Sequence, residues 1–145
     1  TISKKSLFAF TSQRLHSGIT LMMKFYGWLF LIAGLAFMAA PDLIMDIVNG
    51  LAVWLPCSHP ISGQERSLWL ALTGSMMATI SYLAFVLARE PGNISGWTAL
   101  ILCKSASTAL FIIFAVVNAN IIFLVGAAID GPIALHLWWI RKQSK

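Results

Sequence analysis

Long apolar stretches alternate with short polar segments along the whole chain. Each stretch is about twenty residues long, and together they cover 21–40, 67–88, 97–117 and 121–140. A helix that crosses about 30 Å of hydrocarbon at about 1.5 Å per residue needs roughly 20 residues. The pattern therefore predicts an all-α fold, a single membrane domain over 21–140 in which four transmembrane helices form a bundle.

Helix-breaking residues stand at the boundaries of these stretches. Pro41 follows the first stretch and Pro91 follows the second. Only Asn118, Ala119 and Asn120 separate the third stretch from the fourth. Because this turn is so short, we expect the last two helices to be antiparallel neighbours.

The segment 42–55 between the first two stretches is amphipathic rather than uniformly apolar. Its polar residues recur at helical spacing, and they are Asp42, Asp46 and Asn49. Its apolar residues lie opposite them, and they are Leu43, Ile47 and Leu51. The segment is too short to cross a bilayer and acidic at one edge, so we expect an interfacial or partly re-entrant helix.

Both ends of the chain are basic. Residues 1–20 mix apolar side chains with Lys, Arg and polar residues. This mixture fits a short amphipathic helix on the membrane surface, and it equally fits a frayed basic tail. Residues 141–145 form a second basic tail.

The composition excludes an ordinary soluble domain. Apolar residues make up 59% of the chain, charged residues only 10%, and the mean hydropathy is +0.82. A soluble domain is roughly one-quarter charged, which this chain does not approach. With 145 residues, the chain has room for four crossings but not for a further soluble domain.

The basic residues indicate the orientation of the chain in the membrane. Eight Lys and Arg residues fall on the side of the termini, whereas Arg66 alone falls on the opposite side. By the positive-inside rule, both termini face the cytoplasm, or the matrix or stroma of an organelle. The net charge of +5 is therefore a topology signal and not a nucleic-acid footprint. We expect a bacterial inner membrane, with an organellar inner membrane as the alternative.

Two charged residues, Lys104 and Asp130, lie inside the third and fourth stretches. Counted from Ala119 at about 1.5 Å per residue, their depths differ by only roughly 6 Å. An ionisable group inside a membrane is costly, so we expect the two to form an intramembrane polar pair. The pair could relay protons or ions or bind a polar substrate group. Alternatively, and more in keeping with so few polar residues, it could be a bridge that fixes helix rotation.

Gly131 and Pro132 directly follow Asp130 and predict a helix kink, because proline removes one backbone donor. The backbone carbonyls that such a kink frees could bind a cation or be satisfied by Lys104 and Ser107.

Histidine and cysteine residues offer little cofactor chemistry. His136 is the histidine within a predicted span, whereas His16 and His59 lie outside the spans. His136 is a candidate contact for quinone or haem, although a transmembrane haem generally needs two facing histidines. Cys57 and Cys103 fall on opposite sides and do not predict a disulfide or a metal site. The cofactor stays unassigned, and bound lipid is expected.

The order of a first span that ends at Pro41, an amphipathic segment, three further spans and the Asp130–Gly131 pair resembles the DoxX-like group. These are small four-helix bacterial membrane proteins, some of which are linked to quinone-dependent or redox complexes. The resemblance implies a small partner subunit and assigns no catalytic residue.

No catalytic motif is present in the sequence, so the chain is not expected to be an enzyme. The favoured hypothesis is a non-catalytic accessory or assembly subunit of a larger, bioenergetic membrane complex. Its partners would be membrane lipids and other integral membrane subunits. The alternatives are a small transporter that uses Lys104 and Asp130, and a haem- or quinone-binding membrane anchor.

Overall fold

The computed structural model describes residues 4–58, 60–61 and 66–143 of the chain, with side chains over 17–58, 60–61 and 73–143. Within these described residues the fold is all-helical, with five helices and no strand. In chain order the helices are α1 (Lys4–Ala39), α2 (Pro41–Trp54), α3 (Arg66–Arg89), α4 (Ile94–Val117) and α5 (Phe123–Gln143).

Within the part of the chain that the structure describes, three helices are long and apolar enough to cross a membrane. They are Ser17–Ala39 within α1, the whole of α4 and the whole of α5, with 23, 24 and 21 residues. At about 1.5 Å per residue, each of them reaches across roughly 30 Å of hydrocarbon. The chain is therefore a membrane protein. Helix α3 has 24 residues as well, and its side chains are described from Thr73 onwards.

The two segments flanking the first span are both helical. Helix α1 already begins at Lys4, so its backbone passes without a break from the amino-terminal segment into the span. The amphipathic face expected over 1–20 falls largely on side chains outside the described residues. Helix α2 has Pro41 at its start and ends at Trp54, within one residue of the predicted interfacial helix.

The four long helices pack as two antiparallel pairs, α1 with α3 and α4 with α5. On the first pair, the hydroxyl of Ser81 donates to the carbonyl of Gly27 at 2.8 Å. Further along α1, Gly34 lies against Gly74. Residue numbers thus rise on α1 as they fall on α3, so the two helices are antiparallel.

The hydrophobic core lies in the half of the bundle that contains the α3–α4 connection and the end of α5, which we call the termini end. All four long helices contribute buried side chains there: Ile19, Met23, Tyr26, Phe30, Ile80, Ala84, Leu87, Ala88, Trp97, Leu100, Leu137 and Ile140. Trp97 is only 1% exposed, and its indole nitrogen donates to the carbonyl of Pro91 at 2.8 Å. The indole therefore closes the core beside the α3–α4 connection.

Glycine residues allow the helices of each pair to approach closely. A Cβ atom added to Gly34 would lie 2.9 Å from the Cβ of Met77 and 3.4 Å from the carbonyl oxygen of Gly74. One added to Gly126 would lie 2.7 Å from the ring of Phe111. Small residues at such contacts are how helices pack in lipid, where no hydrophobic effect drives them together.

The opposite end of the bundle, which we call the α2 end, is held by a chain of hydrogen bonds. The side chain of Asn49 pairs with the backbone of Ile61, accepting its N–H at 2.8 Å and donating to its carbonyl at 3.4 Å. Ser58 then donates to the side chain of Asn120 at 3.1 Å, in the α4–α5 turn. The segment after α2 is thereby attached to the turn between the last two helices.

Candidate functional site

Lys104 and Asp130 meet inside the bundle, between α4 and α5. The ammonium nitrogen of Lys104 lies 2.8 Å from Oδ1 of Asp130. Only 2% of the lysine side chain and 10% of the aspartate side chain are exposed. The structure thus brings together the pair whose similar depth was counted from Ala119, and it excludes solvent from both charges.

Ser107 completes the environment of the carboxylate. It lies three residues beyond Lys104 and therefore on the same face of α4, and its hydroxyl donates to Oδ2 of Asp130 at 2.5 Å. Each carboxylate oxygen consequently has its own donor. Thr108 instead donates to the backbone carbonyl of Lys104 at 2.8 Å, so its hydroxyl is satisfied within α4.

An aromatic ring from α1 covers the lysine. The ammonium nitrogen of Lys104 lies 4.5 Å from the ring centroid of Phe30, within the range of a cation–π contact. Such contacts contribute about 0.5–2 kcal/mol, with the larger values for desolvated groups. Sequence reasoning missed Phe30, because an aromatic residue within an apolar stretch carries no signal of a charged neighbour.

The paired charges cancel, which allows the site to exist in hydrocarbon. An ionisable side chain at the centre of a membrane helix costs about 2.5–3.5 kcal/mol on insertion scales. Contacts with Asp130 and Phe30 offset this cost for Lys104, and the ammonium of Lys104 and the hydroxyl of Ser107 offset it for Asp130. Chemically, the arrangement can fix the rotation of α4 against α5, and it holds one carboxylate able to accept a proton.

A second polar contact joins α1 to α5 nearer the termini end. The hydroxyl oxygen of Tyr26 lies 2.6 Å from Nδ1 of His136, which accepts the hydroxyl proton when the imidazole carries its own proton on Nε2. The imidazole also stacks on Trp139, with ring centroids 5.9 Å apart. Tyr26 stacks in turn on Phe30, with ring centroids 5.9 Å apart, and Phe30 is the ring that covers Lys104. The two polar contacts are therefore linked through the side chain of Phe30.

His136 is thus engaged by protein on one ring nitrogen. The other two histidines give it no described partner for haem ligation, because His59 and the side chain of His16 lie outside the described residues. Among the residues that are described, no group of three or more His, Cys, Asp or Glu side chains could hold a metal ion.

Gly131 and Pro132 lie within α5, which continues as one helix from Phe123 to Gln143. Pro132 has no N–H, so the carbonyl four residues before it, that of Ala128, loses its usual helical donor. A Cβ added to Gly131 would lie 3.5 Å from Thr108, an ordinary contact distance. The packing beside Asp130 therefore does not require a glycine at position 131, because a residue with a Cβ atom would also fit against Thr108.

A partly open cavity of about 290 Å³ lies between α3 and α4. Its lining is largely apolar and includes Ser75, Thr79, Ala99 and Cys103. Cys103 is half-buried there, whereas Cys57 is exposed at the α2 end, and both thiols are free. The cavity lies beside the helix that carries Lys104, but the lysine points to the other side, towards α1 and α5.

No protein-family model, curated protein or solved structure matches the chain.

Proposed function

We propose that the protein is a non-catalytic integral-membrane subunit that packs against, assembles or stabilises a larger membrane complex of bioenergetic function. The observation that supports the proposal is that the Lys104–Asp130 pair finds all its contacts within the chain. Ser107 binds the aspartate and Phe30 covers the lysine. A pair sealed in this way suits a helix bridge better than a conducting path.

The proposal includes a fourth span, formed by α3. Residues 67–88 of this helix contain no charged residue, and α3 packs along the spanning part of α1. With four spans, both termini lie on one side of the membrane. The positive-inside rule then makes that side the cytoplasm of a bacterium, or the matrix or stroma of an organelle.

The outward faces of α4 and α5 support a role in assembly. Large apolar side chains are exposed along both helices, and they include Leu102, Leu110, Ile113, Val117, Ile129 and Leu135. Such a surface can contact lipid or the helices of another subunit. The resemblance of the span order and of Asp130–Gly131 to DoxX-like proteins favours contact with the helices of another subunit.

The test is gentle extraction of the tagged chain from its native membrane, followed by native-gel separation and mass spectrometry. We expect the chain in a large assembly with constant companions. Two outward substitutions then map the contact: Ala106→Trp on α4 and Ala128→Trp on α5, both at exposed positions. The substitution on the helix that contacts the partner should abolish co-migration of the companion proteins, whereas the substitution on the other helix should leave it unchanged. A lone monomer, or a homo-oligomer without companions, would refute the proposal.

A transport function is the second candidate, and the geometry that favours it is the position of Asp130 beside Pro132. A carboxylate next to a freed backbone carbonyl is a recurrent proton or cation site in transporters. This function requires that Asp130→Asn abolishes flux in proteoliposomes that contain a pH-sensitive dye, while insertion is unchanged. Asp46→Asn, which makes the same change on α2, serves as the control. Flux that survives Asp130→Asn would eliminate the transport function.

A further inference from the structure

Helix α2 runs between two points at the same end of the bundle. It is joined to the end of α1 through the single residue Ala40, and the segment after it is attached to the α4–α5 turn. In addition, the N–H of Ile121 donates to the carbonyl of Cys57 at 3.4 Å. Both connections are short, so the depth of α2 is set by the end of α1 and the start of α5.

The Tyr26–His136 contact shows that the end of α1 and the start of α5 lie at the same level in the bundle. Thirteen residues separate Tyr26 from Ala39 at the end of α1, and thirteen separate His136 from Phe123 at the start of α5. At about 1.5 Å per residue, both helices extend roughly 20 Å from the shared contact. Helix α2, itself about 21 Å long, therefore lies across the end of the bundle instead of continuing a span.

One face of α2 is apolar and uncovered. Its residues are Leu43, Ile47, Leu51 and Trp54, which we call the α2 stripe. At 3.6 residues per turn they fall within an arc of about 80°. Ile47 is 52% exposed and Trp54 is 88% exposed. The packed side of α2 is a different one, because Ala52 is buried while the stripe is not.

The rotation of α2 is fixed by its attachments. Asn49 binds both backbone groups of Ile61, so the polar edge that carries Asn49 faces the returning chain. Asp42 and Asp46 lie on the same polar side by helical spacing. The stripe is therefore held away from this polar edge, and rotation of α2 cannot bury it.

We propose that the α2 stripe inserts into the lipid leaflet at the α2 end, with a phospholipid bilayer as its partner. Because only Ala40 separates the end of α1 from the start of α2, α2 lies at the depth where a spanning helix leaves the hydrocarbon. An amphipathic helix at this depth buries its apolar face among the acyl chains. Trp54 belongs to the residue type enriched at this boundary. The proposal rests on the membrane assignment and not on the subunit function.

The test uses spin labels on the purified full chain in phosphatidylcholine vesicles, with Cys57→Ser and Cys103→Ala as background. Single cysteines replace Ile47 and Leu51 on the stripe. Val53→Cys is the matched control, since Val53 is an apolar residue that is 79% exposed on the same helix and lies on the polar edge beside Asp46, about 80° or more from each stripe residue. Oxygen, which partitions into lipid, and a water-soluble nickel chelate placed on both sides of the vesicles report the surroundings of each label.

We expect collisions with oxygen to dominate at 47 and 51, and collisions with the nickel chelate to dominate at 53. Nickel accessibility at 47 and 51 as high as that at 53 would overturn the proposal, because the stripe would then face water. Labels at 47 and 51 shielded from both reagents would also overturn it, because a second copy of the chain would then cover the stripe. No partner subunit is present in the vesicles, so either failure leaves the proposed subunit function untouched.

Discussion

Tyr26 and His136 lie 110 positions apart in the sequence, and the tyrosine hydroxyl is 2.6 Å from the imidazole Nδ1. This contact joins the first helix of the bundle to the last. Tyr26 belongs to the core at the termini end, whereas the Lys104–Asp130 pair joins α4 to α5 farther from that end. Helix α5 is thus joined to α1 and to α4 by polar side-chain contacts at different depths.

Removal of the tyrosine hydroxyl tests the contact between Tyr26 and His136. Tyr26→Phe keeps the stacked ring but leaves Nδ1 of His136 without its partner. We expect a loss of about 1 kcal/mol in the free energy of unfolding, the usual net value of one hydrogen bond. Unfolding in mixed micelles measures it. Tyr82→Phe makes the same change at a tyrosine that is 68% exposed and should leave stability unchanged. Equal effects of the two substitutions would contradict a role for the contact.

The charged contact predicts a strong dependence on charge balance. Lys104→Met leaves Asp130 uncompensated in the membrane and should cost about 3–5 kcal/mol, as for other buried pairs that lose one partner. The double variant Lys104→Met with Asp130→Asn removes both charges and should recover most of this loss. A double-mutant cycle on unfolding free energies gives the coupling. Simple additivity of the two single effects would show that the two charges are not coupled.

Ser107 predicts a smaller effect at the same site. Ser107→Ala removes the donor to Oδ2 of Asp130 and should cost about 1.5–3 kcal/mol, the range for hydrogen bonds to charged groups. Ser105→Ala, at an exposed position on α4, is the matched control. The difference in unfolding free energy between the two variants is the quantity to measure. In the Asp130→Asn background this difference should shrink, because the acceptor is no longer charged.

The close approach of α1 and α3 predicts a steric penalty at Gly34. Gly34→Ala places a Cβ 2.9 Å from the Cβ of Met77, which is too near the backbone to move freely. We expect about 1–3 kcal/mol of destabilisation, as for other overpacked contacts. Gly18→Ala lies on the same helix with nothing within 4 Å, so helix propensity should make it neutral or slightly stabilising. Thermal unfolding of the two variants side by side distinguishes a packing effect from a propensity effect.

The sequence does not reveal that the side chain of Trp97 is buried. Its position at the start of an apolar stretch is typical of an aromatic residue at the membrane interface. In the structure its indole is buried inside the bundle and bonded to the carbonyl of Pro91. Trp139, which sequence alone does not distinguish from Trp97, is half exposed and stacks on His136. Which face of a uniformly apolar helix points inward depends on its neighbours, and no hydrophobic periodicity records it.

The sequence by itself determined the helical membrane character of the chain, because hydrocarbon forces each apolar stretch to satisfy its backbone as a helix. It also placed Lys104 and Asp130 at similar depths, because the short turn at Ala119 allows both depths to be counted. Only the tertiary structure decided that Phe30 covers the lysine, that Tyr26 binds His136, and that the α2 stripe stays uncovered. These contacts join segments far apart in the chain, and local spacing cannot specify how such segments pack.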